Sequence, residues 1–196
     1  FIDHEVIIRH FIANDTFKEL ELKNEVIYVF NEDIDRFEFR KNKIICNKIA
    51  KDKIKYTRIT RERIGKWFLL YIVAVFRQYR IVSTNKSNKS HFRARVEFEI
   101  KRLGRRNVFL AKMGGLPIIY QVLKFIFSTY LGIHKDVDQL LKEEKPDLLI
   151  HPSLLNGYFI NELFKASKKF NLKLIILMNS WDNCSTRAFC TGYPDK

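Results

Sequence analysis

KPDLLIHPSLLNGYFINELFKASKKFNLKLIILMNSWDNCSTRAFCTGYPDK, residues Lys145–Lys196, is the stretch on which the fold turns. Leu148–Ile150 and Leu172–Met178 are short continuous apolar runs, the pattern of strands buried on both faces of a parallel sheet. Between them Leu155, Phe159, Leu163, Ala166 and Phe170 fall on one helical stripe. The three together read as a β-α-β unit with a right-handed crossover. Ligands of such sheets bind beyond the carboxyl ends of the strands. His151-Pro152-Ser153 follows the first run and Asn179-Ser180-Trp181-Asp182-Asn183 the second, so both polar clusters are expected on one rim.

Upstream, Asp136–Glu144 carries Val137, Leu140 and Leu141 and reads as a short helix stopped by Pro146. Ile118–Leu131 reads as an apolar helix, with Pro117 in its first turn and Gly132 at its end. Ser90–Leu103 reads as a strongly charged helix with Phe92, Val96, Ile100 and Leu103 on one stripe, and Ser83–Lys89 as a polar break. Arg61–Val82 reads as the first long helix. Its apolar centre, Trp67 to Phe76, is flanked by Arg61, Arg63 and Lys66 on one side and Arg77 and Arg80 on the other. Neither that ten-residue run nor Ile118–Leu131, broken by Gln121 and Lys124, reaches the ~20 residues of a membrane-crossing helix.

The chain opens in the same α/β manner. Phe1-Ile2 reads as the tail of a first strand, Asp3-His4-Glu5 as a strand-to-helix loop, and Ile8 to Leu20 as a helix with one core-facing side. Val26–Phe30 reads as a second strand, and the alternation in Ile54–Ile59 suggests a third. The expected fold class is α/β: a Rossmann-like parallel sheet flanked by helices, with a basic helical insertion over about residues 61–133. No GxGxxG follows the first strand, so a dinucleotide site is not indicated.

Length and composition fit one domain of 196 residues with a sizeable core, since 46% of residues are hydrophobic and 14% aromatic. Cys46, Cys184 and Cys190 are an odd number without a framework spacing, as in a reduced cytoplasmic protein. Net charge is +14, but its placement is uneven. Lys41 to Lys112 hold 21 Lys+Arg against 4 Asp+Glu, a net of +17, and the remainder 15 against 18, a net of −3. A local basic surface implies an anionic partner. Arg63, Lys66, Trp67, Arg77, Arg80, Arg105 and Arg106 are the candidates for contact with an anionic membrane surface. The competing reading makes the apolar runs core helices and the charges a solvated face. No zinc-finger spacing, RNP-like string or phosphate loop supports nucleic-acid binding.

The segments KPD-LLI-HPS and LIILM-NSWDN…PDK resemble the N-terminal half of bacterial GT-B-type glycosyltransferase-like proteins, over the last quarter of the chain and its opening residues. The resemblance implies the acceptor-side domain of an enzyme that moves a sugar from a nucleotide-sugar to a glycan or lipid-linked acceptor. The nucleotide-sugar would be held mainly by a C-terminal donor domain that lies outside this chain, so the chain alone is expected to be inactive. It implies metal-independent chemistry without a cofactor; Asp33-Ile34-Asp35 matches a metal-binding DxD in letters but not in context. It places the base at His4 or Asp3, with Asp3 also able to orient His4, and a phosphate-neutralising role at Arg9. His151, Ser153, Ser180, Trp181, Asp182 and Asn183 are the implied substrate-binding residues, Trp181 stacking on a sugar face. The structural alternatives are Asp3 as a helix cap, His4 as a surface residue and the Trp181 cluster as a loop corner. The expected location is cytoplasmic or peripheral on the inner face of the cell membrane, serving cell-envelope glycan synthesis. The other functions in view are a sugar-nucleotide epimerase or polyol-phosphate transferase of the same fold, and a non-catalytic basic module binding membrane or nucleic acid.

Overall fold

A computed structural model of the chain describes residues 1–3, 7–32, 48–82, 86–153 and 159–178. The fold is mixed α/β and predominantly helical, and its described strands form two small parallel sheets of two strands each.

The first sheet pairs β1 (Tyr28–Asn31) with β2 (Ile54–Thr57), Tyr28 opposite Ile54 and Asn31 opposite Thr57. All four residues of β1 are buried, as the apolar run requires. Before β1, the expected single helix is divided. Ile8–Ile12 form a π-helical turn, and α1 begins only at Lys18 and ends at Lys23. Asp15 adopts the left-handed region (φ 55°), and Lys48 Nζ holds the break by donating to the Ala13 carbonyl (2.6 Å) and to Asp15 Oδ1 (2.9 Å).

The second sheet pairs β3 (Leu148–Ser153) with β4 (Lys173–Met178) in parallel and in register, Leu148 opposite Lys173 and Ser153 opposite Met178. The intervening helix α6 (Ile160–Phe170) buries Ile160, Leu163, Phe164 and Ala166, so the β-α-β pattern is present. The strand runs further than its apolar letters suggest: His151, Pro152 and Ser153 lie within β3, not in a loop beyond it. Pro152 lacks an N–H, which a strand tolerates where its amide faces no partner.

The two sheets meet at the start of the chain. Ile2 donates from its N–H to the Val29 carbonyl (2.8 Å) and bridges Phe30 in parallel, while the Phe1 amino group donates to the Ile150 carbonyl (3.0 Å). Phe1-Ile2 thus stands between β1 and β3. A cleft of about 380 Å³ runs from it toward the amino ends of those strands, floored by Val26–Val29 and Leu148–Ile150. One apolar core serves both sheets, with Val29, Ile59, Leu149, Phe159, Leu163 and Leu174 in a single cluster. Val137 and Leu141 of α5 (Lys135–Glu144) close it from above.

Between β2 and α5 lies a helical layer with its own cores. The long helix α2 (Arg61–Val82) keeps its expected bounds. α3 (Lys86–Gly114) is interrupted at Gly104, whose φ of 75° and ψ of 161° no L side chain adopts readily. α4 (Pro117–Leu131) starts with proline in its first turn, as expected, and is capped at Gly132. Gly115 lets the α3–α4 corner sit against α2, since a Cβ there would meet the Arg77 backbone nitrogen at 3.0 Å. Trp67, Leu70 and Ala74 pack on Tyr120 and Leu131, while Tyr71, Ile72, Val75 and Phe76 pack on Val96, Val108 and Ala111. No single helix among the described residues is long and apolar enough to cross a membrane.

Candidate functional site

Two residues expected at the site on separate grounds, Asp3 and His151, come together. Asp3 follows directly on Phe1-Ile2, and His151 lies in β3 alongside. The Asp3 Oδ2 to His151 Nε2 distance is 3.4 Å, with side-chain exposures of 1% and 0%. Neither atom has a hydrogen-bond partner among the described residues. The opposite ring nitrogen is engaged: Nδ1 lies 2.9 Å from the Phe1 carbonyl. A carbonyl can only accept, so Nδ1 carries the proton and Nε2 presents a lone pair to the Asp3 carboxyl. Phe159 stands edge-on to the imidazole at 6.4 Å and to Phe1 at 5.2 Å, lining the site with hydrocarbon.

Burial governs the protonation of this cluster. It pushes the Asp3 carboxyl up to about 7, against the opposing pull of the Phe1 amino group and a backbone hydrogen bond. It drives His151 down to about 3, with the same amino group adding to the effect and the bond to Phe1 resisting it. Burial therefore favours the protonated carboxyl at Asp3 and the neutral imidazole at His151.

His151 is consequently not a rim residue. It is wholly enclosed, with Nδ1 2.9 Å from the Phe1 carbonyl and Nε2 3.4 Å from Asp3 Oδ2. His4, Ser180, Trp181, Asp182 and Asn183 lie outside the described residues, as do Asp33 to Asp35 and the three cysteines. The side chains of Arg9, Ser153, Arg80 and Arg105 are also outside what the structure describes.

The proposed membrane cations are redistributed. Arg63 points inward, where Nε donates to Glu162 Oε1 (2.6 Å) and Nη2 to Glu162 Oε2 (2.9 Å) and to the Gly132 carbonyl (2.9 Å). Trp67 is buried and donates from Nε1 to Glu162 Oε1 (3.3 Å), and the His134 N–H completes the set at 2.7 Å from Oε2. Arg77 lies over the Tyr120 ring at 4.9 Å. Lys66 pairs with Glu62 at 2.8 Å and stands over Tyr130 at 5.9 Å, half-exposed, and Arg106 is exposed. Arg63, Trp67 and Arg77 thus belong to the protein's own packing, because helix α2 is covered by α3, α4 and α6.

Two features had no signal in the sequence. Glu162 is one: a fully buried carboxylate whose four donors come from Arg63, Trp67 and His134. Asn31 is the other. Its Nδ2 donates to the Ile59 carbonyl (2.9 Å) and its Oδ1 accepts from the Ile59 N–H (2.7 Å), clamping the exit of β2 to the end of β1. Beyond those two carboxyl ends a hollow of about 470 Å³ is lined by Glu32, Arg58, Thr60, His134 and Asp136. Arg58 Nε donates to Glu32 Oε2 there (2.7 Å) and the Arg58 N–H to Asp136 Oδ2 (2.8 Å). Among the described residues no group of three or more His, Cys, Asp and Glu side chains is placed to hold a metal ion. Comparison with protein-family models, with characterised proteins and with solved structures finds no match to this chain.

Proposed function

We propose that the chain is the Rossmann-like, acceptor-side half of a GT-B-type sugar transferase, with its proton-handling group at the end of the first strand. The observation that carries this reading is the Asp3–His151 pair: a carboxyl raised to about 7, lying 3.4 Å from a buried imidazole. Transfer of a sugar to a hydroxyl needs a base near neutral pKa to take the hydroxyl proton as the new bond forms. Asp3 has that pKa, and His4 follows it directly in the chain. The base is drawn from this Asp3-His4 pair, with His151 as a positioning residue. The strand sequence β2, β1, Phe1-Ile2, β3, β4 supports the fold part of the reading, because it is the order of a Rossmann-like half about its central strand.

The test is release of nucleoside diphosphate from a panel of nucleotide-sugars by the protein carrying both halves. Asp3→Asn and His4→Gln are each expected to lower kcat by about 10²- to 10⁴-fold. Wild-type turnover in a folded Asp3→Asn protein would remove the assignment.

A further inference from the structure

We infer that the corner formed by the second half of α3 and by α4 is a docking surface for an anionic lipid bilayer. This inference is independent of the sugar-transfer reading. Three observations carry it.

The first is exposure. α4 leaves Ile118, Phe125 and Tyr130 bare at 80%, 72% and 77%, with Val122 and Ile126 half-covered beside them. Phe109 and Leu110 on α3 are bare as well, at 64% and 56%. Scattered surface hydrocarbon is ordinary, but Ile118, Val122, Phe125 and Ile126 share one face of α4 by helical spacing, and such a patch marks an interaction site.

The second is shape. Arg106–Gly114 and Pro117–Leu131 are together long and apolar enough for a membrane, yet they meet at 94°. A right-angled pair cannot cross as a rod, but it can lie in the interface with its apolar side down.

The third is charge. From Ile100 to Lys135 there are seven Lys+Arg and no Asp or Glu. Lys66, standing over Tyr130 at 5.9 Å and paired with Glu62 at 2.8 Å, lies at the edge. A second copy of this surface would bring two cation-rich runs together and repel. A nucleic acid would satisfy the cations but offer nothing to Ile118, Val122 and Ile126, which cannot stack on bases as aromatics do. Phosphate headgroups above acyl chains satisfy both kinds of residue at once.

The test is sedimentation of the full chain with phosphatidylglycerol/phosphatidylcholine vesicles, with phosphatidylcholine alone as control. Strong binding to the anionic vesicles and little to the neutral ones is expected, weakening as NaCl rises. Ile118→Glu/Phe125→Glu should reduce affinity by about tenfold or more, since it removes two apolar side chains from the bilayer. Both positions are exposed, so circular dichroism of the variant should match the parent. A Phe125→Trp chain should gain emission that brominated acyl chains quench. The inference fails if anionic vesicles leave the chain in the supernatant at low salt, if the double Glu variant binds undiminished, or if the new tryptophan is not quenched. Retention of duplex DNA without vesicle binding would equally overturn it.

Discussion

At the scale of single residues, the Asp3–His151 pair makes opposite demands on the two sides of neutrality. The His151 pKa is depressed by burial to about 3 from an ordinary 6.5. The unfolded chain therefore binds a proton that the folded one refuses, and the associated stability, complete above pH ~6.5, is lost as pH falls toward 3. His151→Gln should flatten that acid limb, read as a smaller drop in urea midpoint between pH 7 and pH 4 than in the parent. Asp3 has the reverse sign. Its folded pKa of about 7 lies above the unfolded 3.8, so its contribution is complete below pH ~4 and is lost as pH rises through 7. Asp3→Asn should then match or exceed the parent's stability at pH 8, read as its urea midpoint. Glu162 is a different case. Its removal leaves Arg63 inside the protein without its counter-charge, so Glu162→Ala should cost about 3–5 kcal/mol in chemical denaturation. None of these pairs was legible in sequence. Arg63 and Glu162 are 99 positions apart, and Asp3 and His151 almost the full length of the chain. Only residue type, an acid and a histidine next to strand ends, pointed toward the latter.

At the scale of elements, legibility followed the strength of local pattern. The ten-residue apolar centre of α2, bracketed by arginines, dictates a helix wherever it packs, and its bounds match expectation. Proline at the start of α4 and glycine after it mark that helix equally well. β3 was under-read because His-Pro-Ser are weak strand formers; register with β4, a tertiary effect, carries the strand through to Ser153. The opening helix was over-read because Ile8, Phe11 and Ile12 keep helical spacing while Asp15 leaves the helical region beyond them. The interruption of α3 rests on Gly104, and here the backbone alone decides. No atom lies within 4 Å of a Cβ built there, so Gly104→Ala meets no clash and suffers only the strain of its φ. A loss of about 1–3 kcal/mol is expected in thermal unfolding. If the variant is neutral, the break is not held by the rest of the fold.

At the scale of the whole molecule, the chain holds one core shared by two sheets and a helical layer with separate cores, tied by the Arg63–Glu162 junction. What composition could not reveal is which apolar helices are covered. α2 and α4 read alike as letters, yet Leu70 is 1% exposed and Phe125 72%, because exposure depends on what the remaining elements leave uncovered. Within the basic middle of the sequence, Arg63, Trp67 and Arg77 face the protein's own interior, while Ile118, Phe125 and Tyr130 are bare. Hydrogen exchange should show the division: amides of β3, α6 and β4 opening together and most slowly, those of the second half of α3 and of α4 sooner. Uniform protection across both layers would mean a single cooperative unit.

The run from Ile100 to Lys135 contains no carboxyl group to protonate. Its one histidine, His134, is held neutral more firmly than usual by burial. Acidification of the kind found along an endocytic route or beside a proton pump therefore has nothing here to act upon. Release from the bilayer proposed for this face would then come from a change in the other surface's charge or in the surrounding electrolyte, and a titration from pH 8 to pH 5 should leave that binding almost unaltered.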